Sequence, residues 1–149
     1  MKRIVQMTLL SLLAIVCFGR GWREGATVQT VAAAPLACSL DGTFAYSMDG
    51  ELLSVERGHV AFGGLMTFSA GGSISGHDTV NYVSGHKRRN FHGSYSINPD
   101  CSGVMKLSFT SGDVGGTAVL DFYVANGGRE LRLVQTDTGR LTVGTATKQ

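Results

Sequence analysis

The 149 residues hold 13 Lys and Arg against 11 Asp and Glu, and 43% of them are hydrophobic. That apolar share excludes a disordered tail, and the near-balance of charge excludes a polycation built to coat nucleic acid. The 21 glycines against two prolines point to a folded chain with many tight turns.

The chain opens with Lys2 and Arg3, followed by an apolar run from Ile4 to Phe18 that only Gln6, Thr8 and Ser11 interrupt. This is the layout of a secretory signal peptide, and the run is short for a membrane-spanning helix. An uncleaved anchor is the alternative. Cys17-Phe18-Gly19 allows cleavage before Arg20, and Val31-Ala32-Ala33 allows it before Ala34. The second is favoured because residues 20–33 show no strand pattern. Val16 before Cys17 and Phe18 after it argue against a lipoprotein signal. Trp22, the only tryptophan, falls in this leader. Beyond residue 33 stand nine basic residues against ten acidic ones, a net charge of −1. The basic pI therefore belongs to the targeting segment and gives no support for nucleic-acid binding. The expectation is a signal peptide and short leader over 1–33 and one domain over 34–149. That domain would be secreted, periplasmic or on the cell surface, with no membrane association after cleavage.

From residue 38 onward polar and apolar residues alternate. Phe44, Tyr46 and Met48 share one face, and Val60, Phe62, Met66 and Phe68 repeat the pattern. So do Ile74, Val80 and Tyr82; Phe91, Tyr95 and Ile97; and Met105, Leu107 and Phe109. Leu120, Phe122 and Val124, then Leu131 and Leu133, then Leu141 and Val143 complete the series. Period two with one apolar face predicts eight strands, each with one side on a core. Turn chemistry separates them at Asp49-Gly50, Gly71-Gly72, Ser84-Gly85, Asn98-Pro99-Asp100, Gly115-Gly116, Asn126-Gly127-Gly128 and Thr138-Gly139. Hairpin-length connections and no crossover helix imply an all-β, antiparallel, up-and-down meander. Closing it into an eight-stranded barrel removes the exposed edges, and a two-sheet sandwich is the alternative. Gly63-Gly64, inside a run, predicts a bulge or bend, or space for a ligand.

If the leader takes Cys17, Cys38 and Cys101 remain, both at strand ends. In an exported chain they read as one disulfide, with two free thiols as the alternative. Neither has a CxxC-like spacing, so a metal pair is not favoured.

Polar residues at apolar-parity positions are the candidates for chemistry. Asp78 shares parity with Ile74, Val80 and Tyr82, Gln135 with Leu131 and Leu133, and Arg89 with Phe91 and Tyr95. Tyr46, Tyr82 and Tyr95 also point inward, and each hydroxyl needs a partner when buried. The six form either a polar patch that orients a small apolar ligand or the satisfied polar groups of a filled core. His77 and His92 have outward parity, and pairing of residues 80 and 91 would make them diagonal neighbours. His59 and His86 fall near turns, so a third metal ligand is missing. "HKRRN" at 86–90 is the one basic cluster, and a hairpin end of this kind is usually solvated. No serine, histidine and acid fall into an activation motif, so no catalytic residue is assigned. No motif asks for a cofactor.

Three stretches, "DGTFAYS" at 41–47, "FHGSYSINPDCSG" at 91–103 and "ELRLVQTDTG" at 130–139 followed by "VGTATKQ", together resemble a group of secreted bacterial proteins. The domain of that group looks like a calycin or allene-oxide-cyclase-like barrel of eight strands. The resemblance spans roughly 38–149 and rests mostly on turns and strand edges. Allene oxide cyclases shape a fatty-acid epoxide in a barrel cavity, but their catalytic residues find no counterpart here, so the activity does not transfer. The expected function is an exported, disulfide-tied barrel serving as a non-catalytic structural module or a binder of a small apolar molecule. The alternative is a cyclase- or isomerase-like enzyme with Asp78 as acid or base. Nothing in the pattern specifies an oligomeric state.

Overall fold

Alternation builds eight strands in the computed structural model, which describes residues 38–53, 57–110 and 116–149. They are β1 (Gly42–Leu52), β2 (Gly58–Ser69), β3 (Ser73–Tyr82), β4 (Gly85–Ile97), β5 (Ser102–Phe109), β6 (Gly116–Ala125), β7 (Glu130–Gln135) and β8 (Arg140–Lys148). Each pairs antiparallel with the next, and β8 returns to pair with β1, so the sheet is a closed up-and-down barrel. Closure leaves no free edge to recruit another strand. The expected signal peptide, its two candidate cleavage sites, Cys17 and Trp22 lie outside the described residues.

The β4–β5 turn explains the placement of one cysteine. Pro99 supplies the fixed φ that the second position of a type I turn prefers, and the Cys101 N–H donates to the Asn98 carbonyl at 3.0 Å. A left-handed residue must follow, and Cys101 holds it at φ 67° where glycine is usual. The side chain is needed: Cys101 is bonded to Cys38, 63 residues away. Such a bond belongs to an oxidising environment. Ser102 donates through its N–H and hydroxyl to the Asp100 carboxylate, which lowers the Asp100 pKa.

Three expectations are corrected. Asp49-Gly50 is not a turn but lies within β1, because Gly50 sits where β8 passes too close for a side chain. Gly63-Gly64 makes no bulge, and the register runs unbroken on both sides of β2. Gly64 is instead a close-approach site, since a Cβ there would collide with the β3 backbone at His77 and Asp78. The third concerns β8: Leu141 and Val143 face outward, 62% and 56% exposed, while Thr142 is 1% exposed and Ala146 is buried. On that inner face β1 passes close to β8: a Cβ on Gly144 would strike the Ser47 carbonyl and Met48 of the neighbouring strand.

The filling is aromatic. Phe44, Phe68 and Phe122 are fully buried, each stabilising the fold by about 1.5–3 kcal/mol relative to exposure. Phe68 meets Phe44 and Tyr95 edge-on at centroid distances of 5.3 and 5.1 Å. This core occupies the disulfide end. A smaller cluster of Leu52, Val60 and Val80, with Phe62 and Tyr82 against it, closes the opposite end.

Candidate functional site

Between the two apolar clusters lies the polar layer that parity places inside. Asp78 on β3 and Arg89 on β4 are cross-strand partners, both 4% exposed. Arg89 Nε donates to Asp78 Oδ1 at 2.9 Å, and Arg89 Nη2 donates to Oδ2. Oδ2 also accepts from the Tyr46 hydroxyl of β1 at 2.7 Å. One strand, β2, lies between β1 and β3: its Gly64 pairs with both Tyr46 and Asp78, and the missing side chain there lets the two meet. The Arg89 guanidinium carbon lies 3.9 Å from the Phe109 ring centroid and 5.4 Å from that of Phe62, which gives the buried cation two π faces as well as its carboxylate. Burial first, and the Asp78 charge second, push the Tyr46 phenol far above its ordinary range. Tyr46 is thus a hydrogen-bond donor that keeps its proton.

A second polar chain flanks the first. Thr142 of β8 donates to Gln135 Oε1 at 2.8 Å, and Gln135 Nε2 donates to Asp137 Oδ2 at 2.7 Å. The same Asp137 oxygen accepts the Val119 N–H at 3.0 Å. Every fully buried side-chain nitrogen and oxygen among the described residues has a partner. The two chains face one internal space of about 30 Å³, whose lining includes Tyr46, Asp78, Arg89, Gln135, Phe109 and Arg140. That volume holds about one or two waters. The larger depressions, about 410 to 500 Å³, lie on the outer wall and beside the disulfide and are open to solvent.

Four of the six predicted side chains therefore converge: Tyr46, Asp78, Arg89 and Gln135. The other two do not. Tyr82 packs on the Leu52 cluster. Tyr95 sits at the disulfide end, where its single O–H has the Leu40 and Ser69 carbonyls as alternative acceptors, each at 2.9 Å; burial, then Asp41, raises its pKa. Thr142 and Arg140 were missed, because the large apolar residues of β8 drew its inner face to the wrong side. The basic cluster is divided by the same alternation. His86 and Arg88 are exposed, Lys87 is half-buried and Arg89 is in the core. The β3–β4 hairpin turns on Val83-Ser84, pairing Val80 with Lys87 rather than Phe91, yet His77 and His92 are diagonal neighbours in this register too. Among the described residues no group of three His, Cys, Asp or Glu side chains converges on a point.

The arrangement can hold charge but has little room to act on a molecule. Both Asp78 oxygens are bonded, its cation is stacked, and no nucleophile stands beside them. No family model, no curated protein and no solved structure matches this chain.

Proposed function

We propose that the chain is an exported, disulfide-tied barrel that serves as a non-catalytic structural module and acts through its outer wall. The signal peptide over 1–33 would direct it to a secreted, periplasmic or cell-surface location. The observation that carries this reading is the internal space of about 30 Å³. Pockets for small molecules run from about 300 to 1,000 Å³. The disulfide supports the location, and the closed barrel agrees with the resemblance to secreted bacterial calycin-like and allene-oxide-cyclase-like domains, which we keep as part of the proposal.

A ligand-binding or cyclase-like reading draws on the four polar side chains around one space. It would need that space to expand about tenfold against a well-packed aromatic core. Native mass spectrometry of protein purified from its own host decides between the two. The expected result is the mass of the disulfide-bonded polypeptide alone. A stoichiometric small apolar molecule that travels with the protein would overturn the structural reading.

A further inference from the structure

The outer wall is not uniform. On β3, β4 and β5 the outward side chains are Ser73, Ser75, His77, Thr79 and Asn81, then His86, Arg88, Asn90, His92, Ser94 and Ser96, then Ser102, Val104, Lys106 and Ser108. Among the described residues this face holds no carboxylate. The nearest on a neighbouring strand is Asp121 of β6, opposite Val104 and diagonal to Lys106. The other side of the barrel carries Asp49 and Glu51 on β1 and Glu130 on β7. The wall centred on β4 thus sets two outward cations, Arg88 and Lys106, and three histidines on strands without an outward carboxylate, whereas the exposed Arg132 of β7 is ion-paired with Glu130.

From these observations we infer that the β3–β5 face binds an acidic polysaccharide. Arg88 and Lys106 lie six residues apart along β4, since Lys106 pairs with Ser94. That is about 20 Å at the rise of a strand, too far for one small anion but suited to successive charges of an extended polymer. Two solvent-open depressions lie along the same line, one bordered by His77, Thr79, Arg88 and Asn90, the other by Ser94, Ser96, Val104 and Lys106. Hydroxyl and amide side chains between the cations match the hydroxyls of sugar rings. Every aromatic residue of these three strands has inward parity, so nucleobases have no stacking platform. Val104 is the one aliphatic side chain on the face, so it offers no wedge for a lipid surface.

Three histidines lie on the same face. His77 is opposite Leu65 and Asn90, with Arg88 and His92 on its diagonals. His92 is opposite Ser75 and Ser108, with Lys106 and His77 on its diagonals. His86 is opposite Asn81. No carboxylate among the described residues directly opposes any of the three. Their ring N–H groups add donors for a polyanion's carboxylates beside the two cations. This deepens the structural-module reading by naming its partner, and it does not depend on what the barrel interior holds.

The test uses the disulfide-intact domain and sodium polygalacturonate in low salt, with titration calorimetry at pH 7. Binding should be measurable there and weaken steeply as salt is added, as a polyanion contact does. R88E/K106E should lose at least about tenfold, and the milder R88Q/K106Q serves if the first variant folds poorly. D49N/E51Q on the far wall should bind as wild type does. No binding in low salt, or undiminished binding by R88Q/K106Q, would overturn the assignment. So would equal affinity for a single-stranded oligodeoxynucleotide or for anionic vesicles. A co-purifying small molecule with normal polymer binding would instead defeat only the packed-interior reading.

Discussion

Replacing Asp78 with Asn preserves shape and removes the charge that faces Arg89. The carboxylate accepts from Arg89 twice and from Tyr46 once. An amide offers one oxygen and one NH₂, so at least one of these donors must face another donor. The guanidinium then stays buried without its counter-charge. Breaking a buried pair from one side costs about 3–5 kcal/mol, which for a domain of this size lowers Tm by about 10–20 °C. R89M should cost a similar amount, because it leaves an ionised carboxylate with only Tyr46. The double variant D78N/R89M removes both charges and should be better than the sum of the singles by about 2 kcal/mol or more. Urea denaturation at pH 7, followed by far-ultraviolet circular dichroism, measures all three. A D78N protein within about 0.5 kcal/mol of wild type, or strict additivity in the double variant, would refute the structural role of the pair.

The raised pKa of Tyr46 implies that the unfolded chain loses this proton above about pH 10 while the folded one keeps it. Stability should therefore fall by about 1.4 kcal/mol per pH unit from this group once pH exceeds 10, and Y46F should have a shallower alkaline slope in denaturation measured against pH. Reduction of Cys38–Cys101 should lower stability by about 4 kcal/mol, from the chain entropy its loop restores to the unfolded state. In the disulfide-free background, C38S/C101G should exceed C38S/C101S by about 1 kcal/mol, since glycine accepts the left-handed backbone; equal denaturation midpoints would argue against that. On β8, L141K should stay within about 0.5 kcal/mol of wild type. T142V should lose about 1–3 kcal/mol by stranding Gln135 Oε1, and the reverse ranking in thermal melts would mean that the strand faces the other way.

Parity carried most of the fold because period two needs only a list of residue types. It placed Asp78, Arg89, Tyr46 and Gln135 inside correctly. It could not say that Tyr46 meets Asp78, because that contact depends on two registers and on a glycine between them. It failed on β8 for a related reason. Alternation marks two faces, and the larger apolar one is usually inside, but on β8 the inner face carries Thr142, Gly144 and Ala146, with β1 too close at Ser47 and Met48 for a side chain at 144. Asp49-Gly50 misled because a glycine that permits a close strand looks the same as one that permits a turn. The cationic wall was half legible: "HKRRN" was visible, but its division into three outward and two inward residues, and its union with Lys106, needed the pairing of β4 and β5.

Closing the barrel at β1 and β8 has a kinetic side. The seam joins Phe44 to Lys148, a contact across roughly a hundred residues and the most distant pairing in the sheet. Such contacts form late, since the chain must lose loop entropy before any bond rewards it. With Cys38 already joined to Cys101, the shortest covalent path between the seam strands is about half as long. Halving a flexible loop lowers the closure cost by about 0.6 kcal/mol, or roughly a threefold faster search. An oxidised chain should thus close its seam sooner than a reduced one, and the cysteine in the strained turn works as a guide during folding as well as a tie afterwards.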